Sequence, residues 1–372
     1  MGFADDEGET HLSDEVFITR QSDGNPLAVL AEVHALVLFL AMFQSPMARM
    51  TGSQYASVAV LRAGGPGSAE HGSLSMSTGQ VMTFSAPPAY GPMYRKILFG
   101  RRRPGLKPGG RLPELAAECA SLEVSAGNLA AFRQVCGITG EGVPLLYPHV
   151  MTGSLHFAIM THDAFPISMM GAVHLRNHIL QHRPLRTSEP YSVTCSLGAH
   201  RVAKAGIELD VSTAISSGGA RVWESISTYF VRGKYGEAGE PSARAQLGGG
   251  VPDDEAAAWH IPPGTGRRYA KVCGDYNPIH LFPITAKLFG FKRDVVHGMW
   301  AAAVCFARLN ASPDTAVQCD LLFKGPTFTH SDVRLLRAKG GDGVRFDLYC
   351  GKNPKPTIGG WWRAADTASL VE

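Results

Sequence analysis

Apolar and polar positions alternate in three stretches of the chain: Leu209, Val211, Thr213 and Ile215; Val317, Cys319, Leu321 and Phe323; Val344, Phe346, Leu348 and Cys350. A period of two puts successive apolar side chains on one face and predicts half-buried strands. Just before the second stretch the period changes. Met299, Ala302, Ala303, Phe306 and Leu309 recur at helical spacing, which predicts a helix with one apolar face, and Ala301 to Ala303 let a neighbour approach closely. The most apolar run, Pro26 to Phe43, carries Glu32 and His34 within it and predicts a buried helix rather than a membrane anchor. Residues 1–90 hold acidic, apolar and Gly/Ser-rich stretches without a usable motif and stay unassigned. The Gly-, Ala- and acid-rich stretch from Gly236 to Ala256 reads as a surface linker.

The order of elements runs twice. FRQVCG at 132–137 returns as YAKVCG at 269–274, an aromatic residue first and Val-Cys-Gly last in each. His149 and Met151 return as His297 and Met299, so the second copy holds 11 more residues between its anchors, within NPIHLFPITAKLFGF. Each copy predicts a long helix followed by antiparallel strands, an α+β architecture. The boundaries expected are 91–235 for the first unit, 236–257 for the linker and 258–372 for the second.

Length and composition fit this picture: 372 residues, 45% of them hydrophobic, suffice for two or three cores. With 35 Lys+Arg against 32 Asp+Glu, the net charge of +3 supplies no field that favours nucleic acid or an anionic membrane. The seven cysteines form no CxxC pair, and an acidic stretch from Asp5 to Glu15 stands where an export signal would carry positive charge. Both features predict reduced thiols and a cytoplasmic setting, with no stable membrane insertion. Arg101, Arg102 and Arg103 lie among Pro and Gly and read as a solvated loop, with an anionic ligand as the sharper alternative.

The inserted stretch carries the candidate chemistry. Gly274 precedes Asp275, and Pro278 separates Asp275 from His280, so the segment cannot run as a regular helix and both side chains can face one pocket. A carboxylate and an imidazole can hold one water, one group taking its proton and the other giving a proton to a substrate. Asn277 can fix orientation without titrating. Val296 to Met299 then enters the long helix, whose first N–H groups lack partners, and Gly298 has no side chain to block approach. A carbonyl oxygen there would have its developing charge stabilised. Elsewhere the signals are weaker. His174 and His178 could ligate a metal only from a helix, and their segment reads as strand; Tyr147, His149 and His156 read as core or helix-start residues before cleft lining; Cys273 reads as a small buried residue. The Gly248 to Gly250 run is no phosphate loop, since no Gly-Lys-Ser/Thr follows.

The segment from Tyr269 to Met299 resembles the signature of the MaoC-like, R-specific enoyl-CoA hydratases, Y-A-x-x-S-G-D-x-N-P-I-H followed by A-x-x-x-G-F and H-G-M, and departs from it at Cys273, where Ser is usual. The resemblance implies a double hotdog, each unit an antiparallel sheet wrapped around a helix, with the likeness extending over about residues 90–368. It implies that Asp275 and His280 activate water, that Asn277 supports them and that the Gly298 amide binds a thioester oxygen. In the first copy Ile138 and Val143 stand at the places of Asp275 and His280, so that copy is expected to lack the chemistry. The expected reaction is reversible hydration of a trans-2-enoyl thioester to the (3R)-3-hydroxyacyl thioester in fatty acid metabolism, the acyl group carried by coenzyme A or acyl carrier protein, with no metal or redox cofactor. A homodimer is compatible with it. The alternatives are a thioester hydrolase on the same scaffold, disfavoured because residues 299–309 contain no Asp or Glu, and a non-catalytic acyl-binding protein.

Overall fold

The computed structural model describes residues 54–57, 79–169, 171–242, 245–310, 315–338 and 343–365. The helix expected over Pro26 to Phe43 lies outside them. Short strands β1 (Gln54–Ser57) and β2 (Gln80–Phe84) and helix α1 (Tyr90–Phe99) come first. Two units of matching order follow. The first is β3 (Leu115–Leu122), α2 (Ala126–Cys136), α3 (Tyr147–Met160) and then β4 (Val173–Gln181), β5 (Tyr191–Ala203), β6 (Gly206–Ser217) and β7 (Ala220–Arg232). The second is β8 (Asp254–Ile261), α4 (Thr265–Cys273), the short α5 (Pro283–Leu288), α6 (Gly298–Arg308) and then β9 (Val317–Phe323), β10 (Ser331–Ala338), β11 (Gly343–Cys350) and β12 (Ile358–Ala364). Strand β8 starts inside the stretch read as linker, because Asp254 to Ala258 pair with β10. Residues 80–84, part of the stretch left unassigned, run parallel to β3.

All the strands join one sheet in the order β1-β2-β3-β5-β6-β7-β4-β9-β12-β11-β10-β8. From the centre outwards the two halves mirror each other: β4, β7, β6, β5, β3 on one side and β9, β12, β11, β10, β8 on the other. This is the double hotdog, its seam the antiparallel pair β4 and β9, where His178 faces Asp320 and Ile179 faces Cys319. His178 Nδ1 lies 2.7 Å from one Asp320 oxygen, and Arg363 donates to the other at 2.9 Å, so the carboxylate ties both units together.

Helix α6 departs from the expected single apolar face. Every residue from Met299 to Phe306 is buried, since the sheet curls around the helix and leaves it no wet side. The repeat also appears as contact. Phe132 and Tyr269, equivalent in the two copies, pack with ring centroids 6.2 Å apart, and Asn128 of α2 donates to the Val272 carbonyl of α4 at 3.0 Å. Trp300 Nε1 donates to Val135 O at 2.8 Å, anchoring α6 to the first unit. Among the described residues no helix is long and apolar enough to cross a membrane.

Candidate active site

Helix α4 ends at Gly274, whose φ of +74° is a left-handed conformation that glycine adopts at little cost. A Cβ there would also meet the Tyr90 ring at 2.1 Å. The chain leaves the helix sharply and delivers Asp275. Asn277 then caps a single helical turn, Pro278–His280, by accepting from Ile279 N–H, and this turn carries His280 back toward Asp275. Asn277 acts on Asp275 through its backbone, the N–H donating to Oδ1 at 3.0 Å. Its side chain shapes the turn.

His280 Nε2 lies 4.0 Å from Asp275 Oδ2, and His297, the residue that caps α6, places its own Nε2 3.8 Å from the same oxygen. The two imidazoles stack, centroids 3.7 Å apart and planes 26° from parallel. Their hydrogens can be assigned from what they face. Val295 O, 2.8 Å from His280 Nδ1, only accepts, so Nδ1 carries the hydrogen and Nε2 turns a lone pair to Asp275. Asp275 O, 2.9 Å from His297 Nε2, also only accepts, so His297 donates there and holds the Asp275 backbone.

Burial pushes the His280 pKa below the ordinary histidine value, with Asp275 and the Val295 carbonyl opposing, and it pushes His297 down to about 3. Position deep in the protein pushes the Asp275 carboxyl up. The imidazoles of His297 and His280, the Asn277 N–H and the Tyr94 hydroxyl outweigh that and hold it below the usual carboxylate value. At neutral pH the site therefore holds a carboxylate beside a neutral imidazole with a free lone pair. Asp275 keeps 35% of its side-chain surface open while His280 keeps 11%, so the pair is reached from the carboxylate side. Helix α6 begins beside the pair, since its N-cap His297 lies 3.8 Å from Asp275 Oδ2. Ala301 N is the first amide to bond back, to His297 O, and the Gly298 amide precedes that bond. A Cβ on Gly298 would stand 2.6 Å from the Phe323 ring.

Asp275, His280 and His297 hold three potential ligand atoms within 4.8 Å of one another. A metal ion would take the His297 Nε2 that holds the Asp275 carbonyl, whereas a water leaves that bond in place. The arrangement suits water better than a metal ion. His174 and His178 do lie on a strand, and a bulge between His174 and Arg176 breaks the alternation. His174 stacks on His149 and Tyr229 while His178 bonds Asp320. His156 is buried on Thr213 and Tyr229, and Tyr147 donates to Asn128 in the core. Ile138 and Val143 pack into the apolar interior. Arg103 donates to the carbonyls of Thr161, His162, Asp163 and Phe165 and so holds the loop that follows α3. Sequence reasoning assigned no role to Tyr94, whose hydroxyl lies 3.2 Å from Asp275 Oδ1. It sits 181 residues earlier in a stretch without a motif.

Residues 251–350 match the family model described as MaoC like domain. Over 234 residues the chain is 34% identical to 3-hydroxyacyl-thioester dehydratase X of Mycobacterium tuberculosis, which covers 63% of this chain and 83% of that protein. The crystal structure of HtdX from the same organism superposes with a TM-score of 0.59 at 31% identity, covering 67% of this chain and all of that one. A MaoC-like dehydratase from Phytophthora capsici shares the fold at 20% identity, with a TM-score of 0.55 over 70% of this chain and 97% of that one.

Proposed function

The chain belongs to the MaoC-like family of hydratases and dehydratases, and from that membership we propose that it is a hydro-lyase interconverting trans-2-enoyl and (3R)-3-hydroxyacyl thioesters. The observation that carries the reading is the 4.0 Å gap between His280 Nε2 and Asp275 Oδ2, two acceptors that one water can bridge by donating to both. The thioester oxygen is received by the Gly298 amide at the positive end of α6, where charge develops as the double bond is attacked. The water oxygen bonds to C3 of the acyl chain, its proton passes to the imidazole–carboxylate pair, and C2 takes that proton. Both groups rest in their basic forms, so hydroxyl and hydrogen come from the same water. Dehydration is the same path reversed. Coenzyme A or acyl carrier protein carries the acyl group, since both present the same thioester to this site.

The test follows loss of the conjugated enoyl absorbance of crotonyl-CoA and of a longer enoyl-CoA. Wild type is expected to hydrate at least one of them, and Asp275→Asn and His280→Gln each to lose on the order of 10²-fold or more in rate. Release of free thiol with the double bond intact would overturn the reading in favour of a hydrolase. Tight binding without turnover would leave an acyl-binding protein.

A further inference from the structure

Helix α1 lies outside the repeated units, yet it meets the catalytic loop. Tyr90 and Tyr94, four residues apart, share a helix face. The Tyr90 side chain fits between Gly274 and Gly153: an added Cβ would crowd its ring at the first and stand 2.6 Å from its hydroxyl at the second. Tyr94 is 4% exposed and packs with Ala270 and Leu281, its ring 5.3 Å from that of Phe157. Its hydroxyl accepts from Tyr276 N–H at 2.6 Å and lies 3.2 Å from Asp275 Oδ1 and 3.4 Å from Gly274 O. With the Tyr276 amide holding a lone pair, the single hydroxyl proton points to its nearer and charged acceptor, Oδ1.

We propose that Tyr94 is a positioning residue that selects which oxygen of Asp275 faces the reaction. Oδ1 is engaged by the Tyr94 hydroxyl and the Asn277 amide, and Oδ2 is thereby turned to His280 and His297. Without the hydroxyl the carboxylate is held by one amide and can rotate its oxygens away from the bridging water. Burial keeps the Tyr94 phenol pKa well above its ordinary value, so it remains a donor throughout the working range. The catalytic consequence rests on the hydratase reading above.

Tyr94→Phe keeps the ring and removes only the hydroxyl. Expected are a roughly tenfold or greater loss of kcat with KM nearly unchanged, and an Asp275 carboxyl that titrates at higher pH when followed by carbon-13 NMR of the full chain. The titration needs no turnover, so it decides the Tyr94–Asp275 link even if the hydratase reading fails with wild type. An Asp275 titration unmoved by Tyr94→Phe overturns the proposal. So does a variant whose kcat matches wild type.

Discussion

His280 and His297 stack at 3.7 Å yet meet Asp275 in opposite senses, one through a lone pair and the other through a hydrogen. His297 thus braces the loop while His280 is left able to take a proton. Replacing His297 with Ala removes the donor to the Asp275 carbonyl and empties space beneath His280. We expect kcat to drop about 10- to 100-fold and urea unfolding to show a loss of about 2–4 kcal/mol. A variant as stable and as fast as wild type would refute the bracing role.

Gly298 stands against Phe323 at the mouth of α6. Gly298→Ala forces the ring or the helix start to shift, because the new carbon would lie 2.6 Å from the ring. The expected result is a fall in kcat/KM of about 100-fold or more, the scale of losing one oxyanion donor. Gly127→Ala in α2 is the control: a carbon there meets nothing within 4 Å, and it should raise stability by about 0.5–1 kcal/mol. Equal kinetics for the two variants would remove Gly298 from the site.

The pH profile follows from the neutral form of His280. Its folded pKa is lowered, so the free lone pair persists below the ordinary value of 6.5 and kcat/KM should hold level through neutrality. The acid limb should fall below pH 6.5 and disappear in its present position in His280→Gln. A limb above 6.5 in wild type would contradict the assignment.

Acid should also weaken the fold through His156, which burial holds at about 3. The unfolded chain binds a proton at this residue from about pH 6.5 downward while the folded chain does not, so stability is full above 6.5 and lost as pH falls toward 3. By pH 5 the loss from this one group is on the order of 2 kcal/mol. Urea midpoints at pH 7 and pH 5 measure it, and His156→Gln should narrow the difference between them.

The seam offers a separate test. Asp320→Ala leaves Arg363 and His178 without their shared carboxylate at the β4–β9 pair. Breaking a largely buried ion pair from one side costs about 3–5 kcal/mol. A change under about 1 kcal/mol would mean that the seam holds without this carboxylate.

Much of this was legible in the chain. The alternation in residues 209–215, 317–323 and 344–350 marked β6, β9 and β11, because a strand with one dry face must repeat every second residue. The repeated Val-Cys-Gly marked α2 and α4, and the 11 extra residues marked the loop where Asp275 and His280 come together. Helix α6 misled in one respect: alanines weigh little in an apolar pattern, so a helix buried on every side read as amphipathic. The contribution of Tyr94 was hidden for a different reason. A hydrogen bond spanning 181 residues leaves no periodic trace, and a tyrosine in an unpatterned stretch carries no sign of its partner.

The continuous sheet has an evolutionary corollary. Two separate copies of one gene product, meeting edge to edge, would have to remain identical, so any change useful at one mouth would be imposed on the other. Fusion into a single polypeptide frees each half to diverge. In this chain the first half carries Ile138 and Val143 in an apolar interior and stacks His149 on His174, apart from the chemistry next door.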